Sequence, residues 1–433
     1  MLPAARVGVG ARGVTAGRAR MFSNREESLR QTPVKGTNQG TVRNFNERLV
    51  LHLIRQYGRL TKAEATRATG LSPNAVSVIF RALEGEGLLL REAPIRGRIG
   101  QPSTPLRLNP AARHYIGLKI GRRSFDMVLV DFTGRILARR QSMHAYPTPE
   151  AMVAFVRAEL RPLLRSAQLR RDAIDGLSVA IPSELWHWTE DFGAPRAEMA
   201  AWRGFDVAAA LRPLLAVPVT IENDGIAACR AEVVFGPQTH RQDFIYFFVG
   251  TLIGGGIVLN GSVFPGRRGN SGGFGPLRIP DEPGGHRLVD HASLSVLERL
   301  LREAGRDAGA VHRPDADWSA LEPVLSQWLD RVARSLAHAI VSTLAVIDFE
   351  AVVIDGAVPA AVRSRLVSKV VRELHRLDLQ GVSPPDVGAG HFGAVARALG
   401  AASWRISMDY MINRNALQAG TESQGSPEPA PRR

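Results

Sequence analysis

The stretch Gly117-Leu118-Lys119-Ile120-Gly121-Arg122-Arg123 (GLKIGRR) opens the main body of this 433-residue chain. Its apolar residues predict a β-strand that runs into one glycine, a position where nucleotide-binding proteins hold phosphate on backbone N–H groups. Two arginines follow at once. The residues around this strand therefore indicate whether the protein can transfer phosphate or has only the fold of a nucleotide-binding protein.

Outward from this strand, the sequence alternates between strands and helices. Three strands between residues 115 and 141 predict a meander, and Thr148-Pro149-Glu150 has the cap and proline that begin a helix. A second, similar block begins at residue 244 and passes the glycine run 254–256. Further elements are predicted at 176–181, 207–215, 217–222, 293–304, 318–346, 351–354 and 391–403. We predict an α/β body of two lobes, residues 113–235 and 236–406, whose last helix can return to the first lobe.

Upstream, residues 41–112 read as short helices followed by a hairpin. Apolar residues at helical spacing predict a first helix from Phe45 to near Gly58. Thr61-Lys62-Ala63-Glu64 is a capping box that begins a second helix, and Gly70 ends it. Ser72-Pro73 begins a third helix, with serine as its N-cap.

The third helix and the hairpin carry the residues that we expect to contact DNA. One face of this helix is apolar (Val76, Ile79, Phe80 and Leu83), and the opposite face is polar and basic, which is typical of a helix-turn-helix. Residues 87–91 and 104–108 predict the two strands of a wing. We predict a winged helix-turn-helix that binds double-stranded DNA, a small protein-interaction domain being the alternative. The predicted contacts are Lys62, Ser72, Asn74, Ser77, Arg81, Arg96, Arg98 and Gln101.

Composition supports this division of the chain. The net charge is +14, and residues 1–112 hold 18 Lys/Arg against 7 Asp/Glu, a balance of +11. The first quarter is thus the expected polyanion-binding part. No apolar run reaches the roughly 18 residues of a membrane span. A single cysteine, Cys229, fits a cytoplasmic protein without disulfides. We predict a disordered basic arm at 1–40 and a disordered tail at 407–433.

Five segments, in their order and spacing, resemble the ROK proteins, which comprise bacterial sugar-responsive repressors and sugar kinases. They are the helix-turn-helix at 60–90, Gly100-Gln101-Pro102, Trp202-Arg203-Gly204-Phe205-Asp206, Glu222-Asn223-Asp224 and Gly250-Thr251-Leu252-Ile253-Gly254-Gly255-Gly256. The resemblance covers about residues 41–405. It implies a winged helix-turn-helix followed by a two-lobed actin-like ATPase (ribonuclease H-like) sugar-kinase fold, and the DNA-binding part points to the repressor branch.

Several positions depart from the kinases of this family. Their first strand resembles Asp-x-Gly-Gly-Thr and its loop wraps the ATP phosphates, but those positions here are Lys119, Gly121, Arg122 and Arg123. A lysine at the metal-facing position would repel Mg²⁺. The motif resembling Ala-Gly-Glu-x-Gly-His falls on residues 271–276, without its acid and histidine. The zinc-binding pattern falls around 282–289, where there is no cysteine. We therefore expect no bound metal and no cofactor.

Asp224 nevertheless matches the position of the catalytic base in the similar kinases. We interpret it as a vestigial base in this chain. We predict that Asn223, Asp224, Gly254 and Gly255 read a sugar or sugar-derivative effector. The alternatives are a plain helix cap for Asn223-Asp224 and a tight turn for the glycines. The favoured function is a transcriptional regulator, a repressor of carbohydrate genes, without enzyme activity and assembled as a homodimer or homotetramer. The alternative is an ATP-dependent, glucokinase-like sugar kinase with an appended DNA-binding domain.

Overall fold

The computed structural model describes residues 39–94, 103–187, 189–237, 241–282, 285–313 and 316–413. Most of the predicted basic arm, the predicted DNA contacts Arg96, Arg98 and Gln101, and residues 414–433 lie outside the described residues. Within these ranges, no helix combines the length and the apolarity that crossing a membrane requires.

Residues 39–108 form three helices and a small antiparallel sheet. The elements are α1 (Gln39–Tyr57), β1 (Arg59–Leu60), α2 (Lys62–Thr69), α3 (Pro73–Gly85), β2 (Leu89–Arg91) and β3 (Leu106–Leu108). Strand β3 lies between β1 and β2. Strand β1 was not predicted, because two residues are too few to display an alternating pattern. Strands β2 and β3 are also shorter than predicted.

Side-chain caps set the ends of α2 and α3. Thr61 N–H donates to the Glu64 carboxylate at 2.8 Å, while the Thr61 hydroxyl accepts from Glu64 N–H, so the predicted capping box is present. Gly70 ends α2 with a φ of +69°, which favours glycine. The Ser72 hydroxyl caps α3 by accepting from Ala75 N–H. The predicted apolar face of α3 is buried in the core of this region.

The first lobe is built on a five-stranded sheet. Its strands are β4 (His114–Ile120), β5 (Ser124–Asp131), β6 (Ile136–Met143), β7 (Gly176–Ile181) and β8 (Val219–Asn223), in the order β6-β5-β4-β7-β8. The meander β4-β5-β6 is antiparallel as predicted, whereas β7 and β8 run parallel to β4. The helices are α4 (Pro149–Ser166), α5 (Thr189–Phe192), α6 (Arg196–Met199), α7 (Val207–Leu211) and α8 (Asp224–Phe235).

The second lobe repeats this topology. Its strands are β9 (Phe244–Val249), β10 (Gly254–Leu259), β11 (Ser262–Phe264), β12 (Arg278–Glu282), β13 (Gly285–Arg287), β14 (Ala351–Gly356) and β15 (Asp386–Ala389). The main sheet has the order β11-β10-β9-β14-β15, again an antiparallel meander followed by two parallel strands. The helices are α9 (Leu294–Glu303), α10 (Val324–Leu344), α11 (Ala360–Leu374) and α12 (Ala396–Tyr410).

Several elements of the second lobe differ from the sequence prediction. Helix α11 was not predicted, although Val362, Leu366, Val370 and Leu374 recur at every fourth position and are all buried. Strand β15 was also missed. Helix α10 begins at Val324, after Pro323, rather than at residue 318. The glycine run 254–256 belongs to strand β10 and is not a turn.

Helix α12 packs against the first lobe, where it contacts β4, β7 and α8. Two glycines allow this approach. A Cβ atom on Gly400 would lie 1.6 Å from the carbonyl oxygen of Ala227 in α8. A Cβ atom on Gly117 would lie 2.0 Å from the carbonyl oxygen of Ala398 in α12. Since a carbonyl oxygen cannot give way as a flexible side chain can, both contacts require glycine.

The predicted tail begins too early. Helix α12 continues to Tyr410, because its last turn packs on the first lobe and on α1. Ile406 is fully buried, and Met411 after it is nearly so. The Tyr410 hydroxyl accepts from Arg113 Nε at 2.9 Å, and its ring meets the Phe132 ring edge-on.

Replacing Gly400 by alanine is expected to destabilise the protein by about 1–3 kcal/mol, because the new methyl group forces α8 and α12 apart. The shift of the apparent midpoint of urea unfolding measures this loss of stability. Gly85→Ala in α3 is the matched control, since no atom lies within 4 Å of its Cβ position and its φ is not positive. Equal midpoints for the two variants would contradict the close contact.

Candidate functional site

A cleft of about 290 Å³ opens between the lobes, at the carboxyl ends of β7 and β8. Open α/β sheets bind ligands at this edge. All four predicted effector residues, Asn223, Asp224, Gly254 and Gly255, line the cleft. The volume lies near the lower end of small-molecule sites, which are roughly 300–1,000 Å³. The cleft thus has room for one small ligand.

Asn223 caps α8 and also borders the cleft. Its side-chain oxygen accepts from Gly225 N–H at 2.9 Å and from Ile226 N–H at 3.1 Å. Its amide nitrogen donates to the Ser183 hydroxyl at 3.0 Å. The capping alternative for Asn223 therefore holds, and the same side chain also orients Ser183 in the cleft lining.

Asp224 pairs with a residue that was not among the predicted site residues. Arg397 of α12 donates from Nη1 to the Asp224 carboxylate at 3.2 Å. The Arg397 guanidinium also lies 4.7 Å from the centre of the Phe248 ring, a cation–π contact with the second lobe. In the described part of the chain, its Nε has no hydrogen-bond partner. An arginine among small residues (Ala396 to Ala402) was the available sequence signal.

Glu222, the residue before this pair, has a structural role. Its carboxylate accepts from Arg230 Nε at 3.0 Å and also pairs with Arg230 Nη2, and both side chains are buried. Of the Glu222-Asn223-Asp224 segment, the first residue therefore lies away from the cleft and the other two border it.

The turn after β4 differs from a phosphate cradle. Lys119 points inward, where Nζ donates to the Ser124 hydroxyl at 2.5 Å and to the Asp126 carboxylate at 2.8 Å. Arg139 donates to the other oxygen of Asp126. Burial lowers the pKa of Lys119 to about 8. Burial raises the pKa of Asp126, but Lys119 and Arg139 outweigh it and leave that pKa well below its usual range.

The two arginines of this turn have different places. Arg122 lines the cleft, with its guanidinium 5.6 Å from the centre of the Phe192 ring. Arg123 bridges the lobes: its Nη2 donates to Glu298 of α9 at 2.9 Å, and Glu298 also pairs with His312. The turn is thus tied to the opposite lobe by an ion pair.

The glycine segments shape the opposite wall. A Cβ on Gly255 would lie 1.9 Å from the Tyr246 carbonyl oxygen, whereas one on Gly254 would meet no atom within 4 Å. Gly255 is therefore required by packing, and Gly254 leaves its side of the cleft open. The segment 271–276 adds Gly272, Gly273 and Pro276 to the lining, and Asn270 beside it contributes a polar side chain.

No group of three or more His, Cys, Asp or Glu side chains is arranged to hold a metal ion within the described ranges. His291, near the expected zinc segment, is buried and pairs through Nε2 with the Gly285 carbonyl at 2.8 Å. Arg331 Nε donates to its other ring nitrogen. The hydrogen bonds of this histidine serve the core.

The predicted DNA contacts that the structure describes lie on α2 and α3. Lys62, Asn74 and Arg81 are exposed, and Ser77 is half-buried. Arg81 Nε donates to the Ser77 carbonyl at 3.3 Å, one turn earlier on α3. Ser72, also exposed, uses its hydroxyl as the cap of α3. None of these side chains is part of the cleft lining.

Comparison with known proteins identifies the family of the two-lobed part of the chain. The model of the ROK family matches residues 115–407. The uncharacterized protein y4fQ of Sinorhizobium fredii is 25% identical over 358 residues, which cover 82% of this chain and 89% of that protein. The xylose repressor of Bacillus spizizenii is 24% identical over 242 residues, or 56% of this chain. That alignment spans 62% of the repressor, less than two thirds of its length.

Solved structures share the fold. A ROK family transcriptional regulator, a homolog of the E. coli MLC protein, superposes with a TM-score of 0.59 at 18% identity, over 88% of this chain and 99% of that one. A ROK family glucokinase from Streptomyces griseus, solved with glucose and AMPPNP, gives 0.55 at 21% identity, over 67% and 98%. Identities this low establish the actin-like two-lobed fold and nothing finer, and both regulators and kinases have it.

The Asp224–Arg397 pair is expected to be energetically coupled. Asp224→Asn and Arg397→Met should each destabilise the protein by about 3–5 kcal/mol, because each leaves a poorly solvated charge without its partner. The double variant should lose less than the sum of the two. Urea unfolding of the four proteins measures the coupling.

The partly exposed pair Lys369–Asp330 is the control for this cycle, since half of the Asp330 side chain is exposed. Its coupling should be about 0–1 kcal/mol. Additive effects at Asp224 and Arg397 would show that their contact has no energetic weight.

Proposed function

Because this chain belongs to the ROK family, we propose that it is a DNA-binding transcription regulator that responds to a sugar or sugar derivative and does not transfer phosphate. Residues 41–112 act as a winged helix-turn-helix on double-stranded DNA. The effector binds in the cleft at Asn223 and Asp224. Repression of carbohydrate genes is the proposed mode, and the protein works in the cytoplasm.

The main support for the absence of phosphate transfer is the turn after β4. Phosphoryl transfer needs a metal ion near the phosphates and backbone N–H groups free to contact them. Lys119 brings a positive charge where a carboxylate would hold the metal, and this charge is neutralised internally by Asp126. Arg123 is occupied by Glu298 of the other lobe. The turn therefore lacks the groups that would organise a metal-bound triphosphate.

The cleft still suits a ligand rich in hydroxyl groups. Asp224 offers carboxylate oxygens, Arg397 offers an N–H donor, and Ser183 and Asn270 add neutral polar groups. Sugar hydroxyl groups both donate and accept hydrogen bonds, so they complement a wall of this mixed kind. With a volume of about 290 Å³, the cleft fits a ligand of monosaccharide size.

The N-terminal region supports the DNA-binding part of the proposal. Three helices, of which α2 and α3 have side-chain caps, and a three-stranded sheet support this assignment, and we propose α3 as the recognition helix. Residues 1–112, which include this region, carry +11 of the net charge of +14. Such regulators bind palindromic sites as symmetric oligomers, so we propose a homodimer or a homotetramer.

A sugar kinase is the second candidate, favoured by one observation. Asp224 follows a strand end in the cleft, which is where a general base would meet a sugar hydroxyl. Its carboxylate, however, is paired with Arg397.

A coupled kinase assay separates the two candidates. With Mg-ATP and a panel of hexoses, pentoses and N-acetylhexosamines, we expect no turnover above the rate of a protein-free blank. Turnover that Asp224→Asn abolishes would overturn the proposal. Thermal-shift measurement on the same panel identifies the effector, because a ligand that binds the folded state raises Tm.

The wing arginine Arg98 is expected to contact a phosphate. Arg98→Ala should weaken binding to a 30-bp duplex and reduce the slope of log K against log salt by about one unit, the value for one lost phosphate contact. Fluorescence anisotropy at four salt concentrations measures the slope. Arg376→Ala, an exposed arginine of the second lobe, is the control and should leave the slope unchanged. Equal slopes for both variants would show that Arg98 does not contact a DNA phosphate.

A further inference from the structure

The outer face of α3 carries an apolar side chain that the predicted DNA contacts do not include. Val78 is 45% exposed, and in the described residues it is the one large apolar side chain of α3 that is exposed. It lies one turn after Asn74 and three residues before Arg81, so the three side chains form one stripe. This stripe lies opposite the buried face of the helix.

Folding gives no reason for a valine at this position. A β-branched side chain loses rotamer freedom in a helix and ranks below alanine in helix propensity. Val78 recovers little of that loss, because nearly half of the side chain stays in water. We therefore expect that Val78 contributes to binding a partner at the outer face of α3.

This inference rests on the proposed DNA-binding function. We propose that Val78 reads the C5-methyl group of a thymine in the major groove, close to an adenine read by Asn74. The thymine methyl is the apolar group that the major groove presents, and an asparagine amide pairs with the adenine edge through two hydrogen bonds. Side chains one helical turn apart are about 6 Å apart, so the two bases lie within about two base pairs of one another.

The charges around this stripe fit a helix that enters the groove by its N-terminal half. The first turn of α3 has no acidic residue. Glu84 and Glu86 lie at the opposite end, and Glu84 pairs with Arg91 of β2. Recognition helices contact base edges with their N-terminal residues. Asn74 and Val78 are thus on the half of α3 that phosphates do not repel.

Deoxyuridine, which lacks only the C5-methyl group, tests the contact. The full chain first selects duplexes from a pool with a randomised centre, and each thymine of the recovered site is then replaced in turn. For the wild type, one thymine in each half-site is expected to give about fourfold weaker binding when replaced, the value for one buried methyl group. Fluorescence anisotropy measures the affinities.

Val78→Ala should bind the thymine site about fourfold more weakly and should be insensitive to deoxyuridine at that position. Its Tm should equal or exceed that of the wild type, since alanine is the better helix former. Asn74→Ala is the control: it should bind more weakly but keep the deoxyuridine effect.

Two results would overturn the assignment: wild-type affinity that no deoxyuridine alters, or a deoxyuridine effect that persists in Val78→Ala. A selection that enriches no sequence at all would be a different failure, because it would count against DNA recognition itself and remove the basis of this inference. The two failures are therefore distinguishable.

Discussion

The close approach of α8 and α12 determines where the functional groups of this protein lie. The two helices touch where Gly400 faces the Ala227 carbonyl oxygen, and α12 also presses on β4 at Gly117. Contacts that exclude even a methyl group leave a packed helix no freedom to slide or rotate. Helix α12 therefore presents Arg397 to the cleft at one end and Tyr410 to the N-terminal region at the other.

Ion pairs hold Asp224 and Arg397 in the cleft lining and charged groups of β4 and the turn that follows it. Asp224 pairs with Arg397, Asp126 with Lys119 and Glu298 with Arg123. The last pair joins the lobes, and the first is formed by a helix that also contacts Phe248 of the second lobe. Buried pairs contribute more to a defined geometry than to net stability. The result is a cleft of fixed shape whose remaining groups are suited to hydrogen bonding.

Local rules explain what the sequence could predict. The caps at Thr61, Ser72 and Asn223 depend on neighbours within three residues, and the meander depends on short apolar runs, so each was readable without a fold. The pairing of Asp224 with Arg397 joins residues 173 positions apart. The inward turn of Lys119 likewise depends on Asp126 of the adjacent strand. Such contacts follow from packing, which no periodicity in the sequence encodes.

The path of the chain through the lobes has a consequence for biosynthesis. The main sheet of the second lobe comes from one continuous segment, residues 244–389, and it can assemble as soon as that segment leaves the ribosome. The first lobe differs, because one face of its sheet is covered by α12, at residues 396–410. Strands made early in translation must therefore wait, with apolar surface exposed, for the last helix to be synthesised. During that interval the nascent first lobe is prone to aggregation.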